Sequence, residues 1–225
     1  MHRSGTSALA ASLEAAGVVL GPVSRANRFN PRGNHELPAI VGLHEQVLHD
    51  NGGSWRAPPA HVAWDAAHRA ARDRVVAGFA GSAVWGFKDP RTLFTLDGWR
   101  AACPGLRPVG VFRHPRAVAA SLTARDGLTP AEGLDLWLRY NERLLDLHRE
   151  QPFPLLCFDE GAGSWRISLR WLMEELDLHS TGAVTEAFDD ALRHQRGDAG
   201  ALPAAVARID AGLRARAHLT TGSER

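Results

Sequence analysis

Short apolar runs alternate along the chain with longer stretches of helical period. Four runs read as strands: Gly17 to Leu20, Ala83 to Phe87, Pro108 to Phe112 and Pro154 to Phe158. The last three are compact, apolar and flanked by Gly or Pro, the pattern of strands buried in a parallel sheet. Between them, Gly5 to Ala16 is Ala/Leu-rich, and Leu37 to His49 carries Ile40, Leu43, Val47 and Leu48 at helical spacing. His61 to Phe79 shows a charged face of Asp65, Arg69, Arg72 and Asp73. Pro115 opens a helix, and Thr129-Pro130-Ala131-Glu132 is a capping box that starts a long one, striped by Leu134, Trp137, Leu138, Leu144 and Leu145. Ser164 to Leu178 turns Leu169, Leu172, Met173 and Leu176 inward. The alternation predicts an α/β fold with a mainly parallel central sheet flanked by helices. One domain over residues 1–196 is expected, followed by a weakly patterned tail, 197–225, with a peripheral helix over Pro203 to Arg216.

Composition narrows the class. The 225 residues are 44% hydrophobic and 23% charged, which excludes disorder over most of the length. A formal net charge of +1 argues against a general nucleic-acid binder. No apolar run is long enough to cross a membrane and no signal peptide is visible. Cys103 and Cys157 make neither a disulfide framework nor a zinc quartet, so a reducing cytoplasm is the expected setting. Lys88 is the only lysine; arginine fills every other cationic position.

Four clusters carry candidate chemistry. His2-Arg3-Ser4-Gly5-Thr6-Ser7 precedes a helix, where inward backbone N–H groups, the helix N-terminus, three hydroxyls and a fixed charge make an anion cradle. A capped helix start is the plainer reading, and no lysine follows Gly5 as a nucleotide-kinase loop requires. In Pro31-Arg32-Gly33-Asn34-His35-Glu36, a carboxylate beside an imidazole offers a general base. Its plainer reading has Asn34 as helix cap and Glu36 in the first turn. Lys88-Asp89-Pro90-Arg91 follows a strand, at the sheet end where ligands bind, or else is a structural Lys–Asp pair. Arg113 ends another strand, and Ser121 follows it about two turns into the next helix, placing a guanidinium fork and a hydroxyl toward one phosphate. His44-Glu45 with His49 has the wrong spacing for a zinc-protease helix, and no metal is expected. Most of the eleven histidines read as solvated or capping residues. Trp55, Trp64, Trp85 and Trp99 read as core before acceptor pocket.

Taken together, Arg3-Ser4-Gly5-Thr6-Ser7 and Arg113 with Ser121 resemble the two nucleotide motifs of sulfotransferases that use 3'-phosphoadenosine 5'-phosphosulfate (PAPS). The Arg-Gly-Asn-His-Glu and Lys-Asp-Pro-Arg segments are similar to those of bacterial and Golgi-type members. Phe158-Asp159-Glu160 and Leu192-Arg193-His194 resemble the family's later elements, so the resemblance spans residues 1–196. It implies a P-loop-NTPase-like three-layer fold and in-line sulfuryl transfer to a hydroxyl or amine of a small-molecule, glycan or lipid acceptor. It gives the 5'-phosphosulfate to Arg3, Ser4, Gly5, Thr6 and Ser7, the 3'-phosphate to Arg113 and Ser121, and closure over the donor to Arg193. Glu36 is the implied base, with His35 as substitute, and Arg3 and Lys88 stabilise the bridging oxygen. Arg3 stands where many members have lysine, so it stabilises charge without donating a proton. The strand that precedes the donor loop in the family is missing here, which leads us to expect no strand before Gly5 and a start codon placed further upstream. The rival readings are a P-loop phosphotransferase using ATP and Mg²⁺, and a truncated, non-catalytic nucleotide-binding module.

Overall fold

The structure, a computed structural model, describes residues 1–24, 33–159, 161–178 and 200–218. In chain order the elements are α1 (Thr6–Ala15), α2 (Pro38–Asp50), α3 (Ala66–Ala77), α4 (Thr92–Ala102), β1 (Gly110–Phe112), α5 (Pro115–Asp126), α6 (Pro130–Glu150), β2 (Leu155–Cys157), α7 (Ala162–Glu175) and α8 (Ala204–Arg214). Among the described residues the protein is thus a mostly helical α/β chain with one two-stranded parallel sheet. No described helix is long and apolar enough to cross a membrane. The chain divides into two compact units, residues 1–16 with 108–225, and residues 17–107.

In the first unit β1 pairs with β2 in parallel, Gly110 opposite Leu155, Val111 opposite Leu156 and Phe112 opposite Cys157. All six residues are buried, as both runs' unbroken apolar character requires. Leu156 also makes a single parallel bridge to His218. A core of Leu9, Val111, Leu156, Phe158, Trp165, Leu169 and Leu172 joins α1, the sheet and α7. α6 begins at the capping box read from the sequence: Thr129 accepts from the Glu132 N–H, and the Glu132 side chain accepts from the Thr129 N–H. It packs against α5 and α8. The α5 contact depends on Gly133, where an added Cβ would stand 2.9 Å from the Ala119 Cβ.

In the second unit α2, α3 and α4 pack on one another around Ile40, Leu43, Val47, Phe79 and Trp99. Gly17 to Leu20 and Ala83 to Phe87 do not form strands; they share one parallel bridge, Val19 to Trp85. Two hydrogen bonds hold it, Val19 N–H to Val84 O and Gly86 N–H to Val19 O, each 3.1 Å. Gly17 and Gly21 flank the bridge with φ of 95° and 76°, which ends the extended backbone on both sides. α4 is a helix that the strand-and-helix pattern left unassigned; its buried face is Thr95, Leu96, Gly98 and Trp99.

Candidate functional site

The N-terminal cradle is built by backbone conformation. Residues 1–5 form turns with no strand, and Arg3 and Gly5 adopt φ of 63° and 88° on either side of Ser4. Gly5 is the N-cap of α1, and no side chain caps that end. A Cβ there would come within 2.2 Å of the Phe158 ring, so only glycine lets the loop lie against that face. Phe158 is fixed in turn by an edge-on contact with Trp165 at 5.3 Å. Ser4 is fully buried, and its Oγ is without a hydrogen-bond partner among the described residues. A buried hydroxyl left unsatisfied beside helix N–H groups is unfavourable unless something polar meets it.

The second motif converges on the same place. The Arg3 Nε–H donates to Ser121 Oγ at 2.7 Å, across 118 positions of sequence. Arg113, at the end of β1, is buried, lies 3.5 Å from Asp159 and sits over the Phe158 ring at 5.6 Å. Asp159, two residues past β2, accepts the His114 backbone N–H at the start of α5 and stands 3.7 Å from Arg214. Burial depresses the Arg3 guanidinium below its ordinary value, the charges of Arg125 and Arg113 depress it further, and Asp126 opposes them. Guanidiniums that repel one another where burial has removed part of their water are stabilised by a bound anion.

Arg125 and Arg214 were not among the residues read from sequence. Arg125 follows Ser121 by one helical turn, so the period of α5 was signal enough to find it. Arg214 lies on α8, where it donates to Asp210 at 2.8 Å, and no local pattern points to it. Arg193, Glu160 and Arg32 lie outside the described residues.

The candidate base lies in the second unit. Glu36 does not belong to the first turn of α2: the helix starts at Pro38 with Leu37 as N-cap, and Asn34 caps nothing there. His35 takes a left-handed φ of 52°. The Glu36 backbone carbonyl accepts from Ser24 N–H at 2.8 Å, and its Oε1 accepts from Lys88 Nζ at 2.7 Å. The pair is largely buried, with side-chain exposures of 13% for Lys88 and 17% for Glu36. Burial lowers the Lys88 ammonium from its ordinary value, and Glu36 pulls it back up.

Lys88 therefore pairs with Glu36 and not with its neighbour Asp89. Asp89 accepts from the Arg91 guanidinium and backbone N–H at 2.9 and 3.0 Å and from His44 Nδ1 at 3.0 Å. Trp99 Nε1–H donates to His44 Nε2 at 2.7 Å, which fixes Nδ1 as the protonated nitrogen. Burial alone would raise the Asp89 carboxyl, but the His44 hydrogen bond and the Arg91 contacts outweigh it and hold it well below the usual range. His44 is thus a core histidine, neither solvated nor capping. Trp99 is wholly buried and Trp64 and Trp85 pack against the same core. No family model, curated protein or solved structure matches this chain.

Proposed function

We propose that the chain is a PAPS-dependent sulfotransferase of P-loop-like three-layer fold. The observation that carries this reading is the Arg3–Ser121 hydrogen bond. It brings together, within one unit, two distant segments whose residue types each suit a phosphate. Gly5 without a Cβ, the unpartnered Ser4 Oγ and the Arg113 guanidinium lie around it. A donor with two anionic groups needs two grips, and in the free protein Arg3 spends its Nε–H on Ser121. Donor binding would exchange that bond for bonds to phosphate oxygens, which are stronger because both partners are charged.

In the reaction, the acceptor oxygen or nitrogen attacks sulfur, the bond from sulfur to the bridging oxygen breaks, and 3'-phosphoadenosine 5'-phosphate leaves. The reading gives Glu36 the acceptor proton. Lys88 holds Oε1, which orients the carboxylate and leaves Oε2 for that proton. Arg3 offsets the charge that develops on the leaving oxygen.

Calorimetric titration of 3'-phosphoadenosine 5'-phosphate, and separately of ATP with Mg²⁺, tests the donor assignment. The first is expected to bind, and Ser121→Ala and Arg113→Ala are each expected to weaken it by roughly tenfold or more, as loss of a charge-assisted bond does. Preferential binding of ATP with Mg²⁺ would make the protein a phosphotransferase. No binding of either would leave a non-catalytic module.

A further inference from the structure

The sulfotransferase reading does not use Asp159, whose carboxylate stands between two guanidiniums at the end of the sheet. The Phe158 N–H donates to Phe112 O at 2.9 Å, one step past the paired strands, and this sets Asp159 beside Arg113 and His114. Asp159 Oδ2 accepts the His114 backbone N–H, and Oδ1 lies 3.5 Å from Arg113 Nε. On the other side, Arg214 Nη2 stands 3.7 Å from Oδ2. We propose that Asp159 is a positioning residue: it turns the Arg113 guanidinium to meet a 3'-phosphate, and so makes the site select 3'-phosphorylated nucleotides over those with a 3'-hydroxyl. The proposal rests on the donor reading.

Three observations carry it. First, the carboxylate is itself fixed. Its bond to His114 ties the end of β2 to the N-cap of α5. Arg214, which flanks it, is held by Asp210 Oδ2 at 2.8 Å, by Cys157 Sγ at 3.6 Å and over the Phe112 ring at 5.9 Å. A group can orient another only if its own geometry is locked by its surroundings. Second, Arg113 is held at two other points. The Trp137 Nε1–H donates to its carbonyl at 2.9 Å, and its guanidinium lies over the Phe158 ring at 5.6 Å. A ring contact sets how far the guanidinium stands from that face, but not its rotation over it. A charge on the Nε side sets the rotation. Third, the approach is from that side. A guanidinium can present Nε to one partner and its two Nη groups to another, so a carboxylate at Nε orients the fork without filling it. At 3.5 Å the attraction is electrostatic, and the Asp159 charge is offset by Arg214, which limits its repulsion of a phosphate.

Calorimetry on the full chain with 3'-phosphoadenosine 5'-phosphate, and separately with adenosine 5'-phosphate, tests the role. Asp159→Asn keeps an oxygen for the His114 N–H while removing the charge beside Arg113. It is expected to weaken the first ligand roughly tenfold, the order at which outer-shell partners act at other ligand sites, and to leave the second unchanged. In Arg113→Ala the same substitution is expected to cost nothing further, because a residue that acts through another has no effect once the other is gone. Asp159→Glu restores the charge and is expected to recover most of the loss. Unchanged or tighter binding in Asp159→Asn, equal losses for both ligands, losses that add to that of Arg113→Ala, or no recovery in Asp159→Glu would each overturn the role while the donor reading stands. No binding of 3'-phosphoadenosine 5'-phosphate by the parent protein would overturn both.

Discussion

At the residue scale, Asp89 illustrates how one side chain is committed several times. His44, the Arg91 guanidinium and the Arg91 backbone N–H all converge on its two oxygens inside the second unit. A carboxyl held below its ordinary value of 3.8 contributes stability that is fully present above that value and is lost as pH falls below it. Asp89→Asn removes the charge while keeping the shape, and among the described residues it leaves the buried Arg91 paired to Glu45. We expect Asp89→Asn to lose roughly 3–5 kcal/mol at neutral pH. In urea unfolding followed from neutral to acid pH, the gap from the parent protein should narrow once the parent passes below about pH 4. A gap of constant size across that range would show that the loss is packing and not ionisation. The N-terminal loop is equally particular: Gly5 is needed for its lack of a Cβ against Phe158, and the Ser4 hydroxyl has no hydrogen-bond partner among the described residues.

At the element scale, α5 and α6 pack on one another, and the approach is set by Gly133 against Ala119. Glycine inside a helix is unfavourable by about 1 kcal/mol relative to alanine, so its place here is decided by proximity and not by propensity. Gly133→Val should force α6 off α5 and lose about 1–3 kcal/mol, as overpacking does. Because Ser121 sits on α5, the same variant should also weaken binding of 3'-phosphoadenosine 5'-phosphate. Thermal melts with calorimetry check both effects; full stability in Gly133→Val would mean the helices part freely. The capping box of α6 was readable because both of its partners lie within four consecutive residues. The ends of α2 were less so: Asn34 has the chemistry of a cap, but Pro38 takes the first helical position and fixes the start beyond it.

At the scale of the whole molecule, a net charge of +1 disperses into local pairs. Arg139 meets Asp135, Arg149 meets Asp146, Arg72 meets Asp73 and Arg125 meets Asp126. Such pairs cancel long-range fields while leaving the buried guanidiniums near Arg3 to act at short range. The protein is therefore expected to show no affinity for duplex DNA at about 0.15 M salt in fluorescence anisotropy, because non-specific binding needs many unpaired cations along one face. Micromolar retention of the duplex would reveal a basic surface that these pairs do not provide.

Local chemistry determined what the sequence alone made legible. Apolar runs fixed β1 and β2, helical stripes fixed α2, α6 and α7, and Pro115 and Thr129 placed two helix starts, because each signal lies within a few residues. The residue types of Arg3 to Ser7 and of Arg113 with Ser121 suggested a phosphate for the same reason. Tertiary structure alone decided which of these met. Val19 and Trp85 make a single bridge and not a strand pair, since extension depends on neighbours that glycines interrupt. Lys88 chose Glu36 over the adjacent Asp89, and Arg3 chose Ser121, across 52 and 118 positions. Pairings at that separation depend on how helices and loops are packed, and no window of local sequence contains both partners.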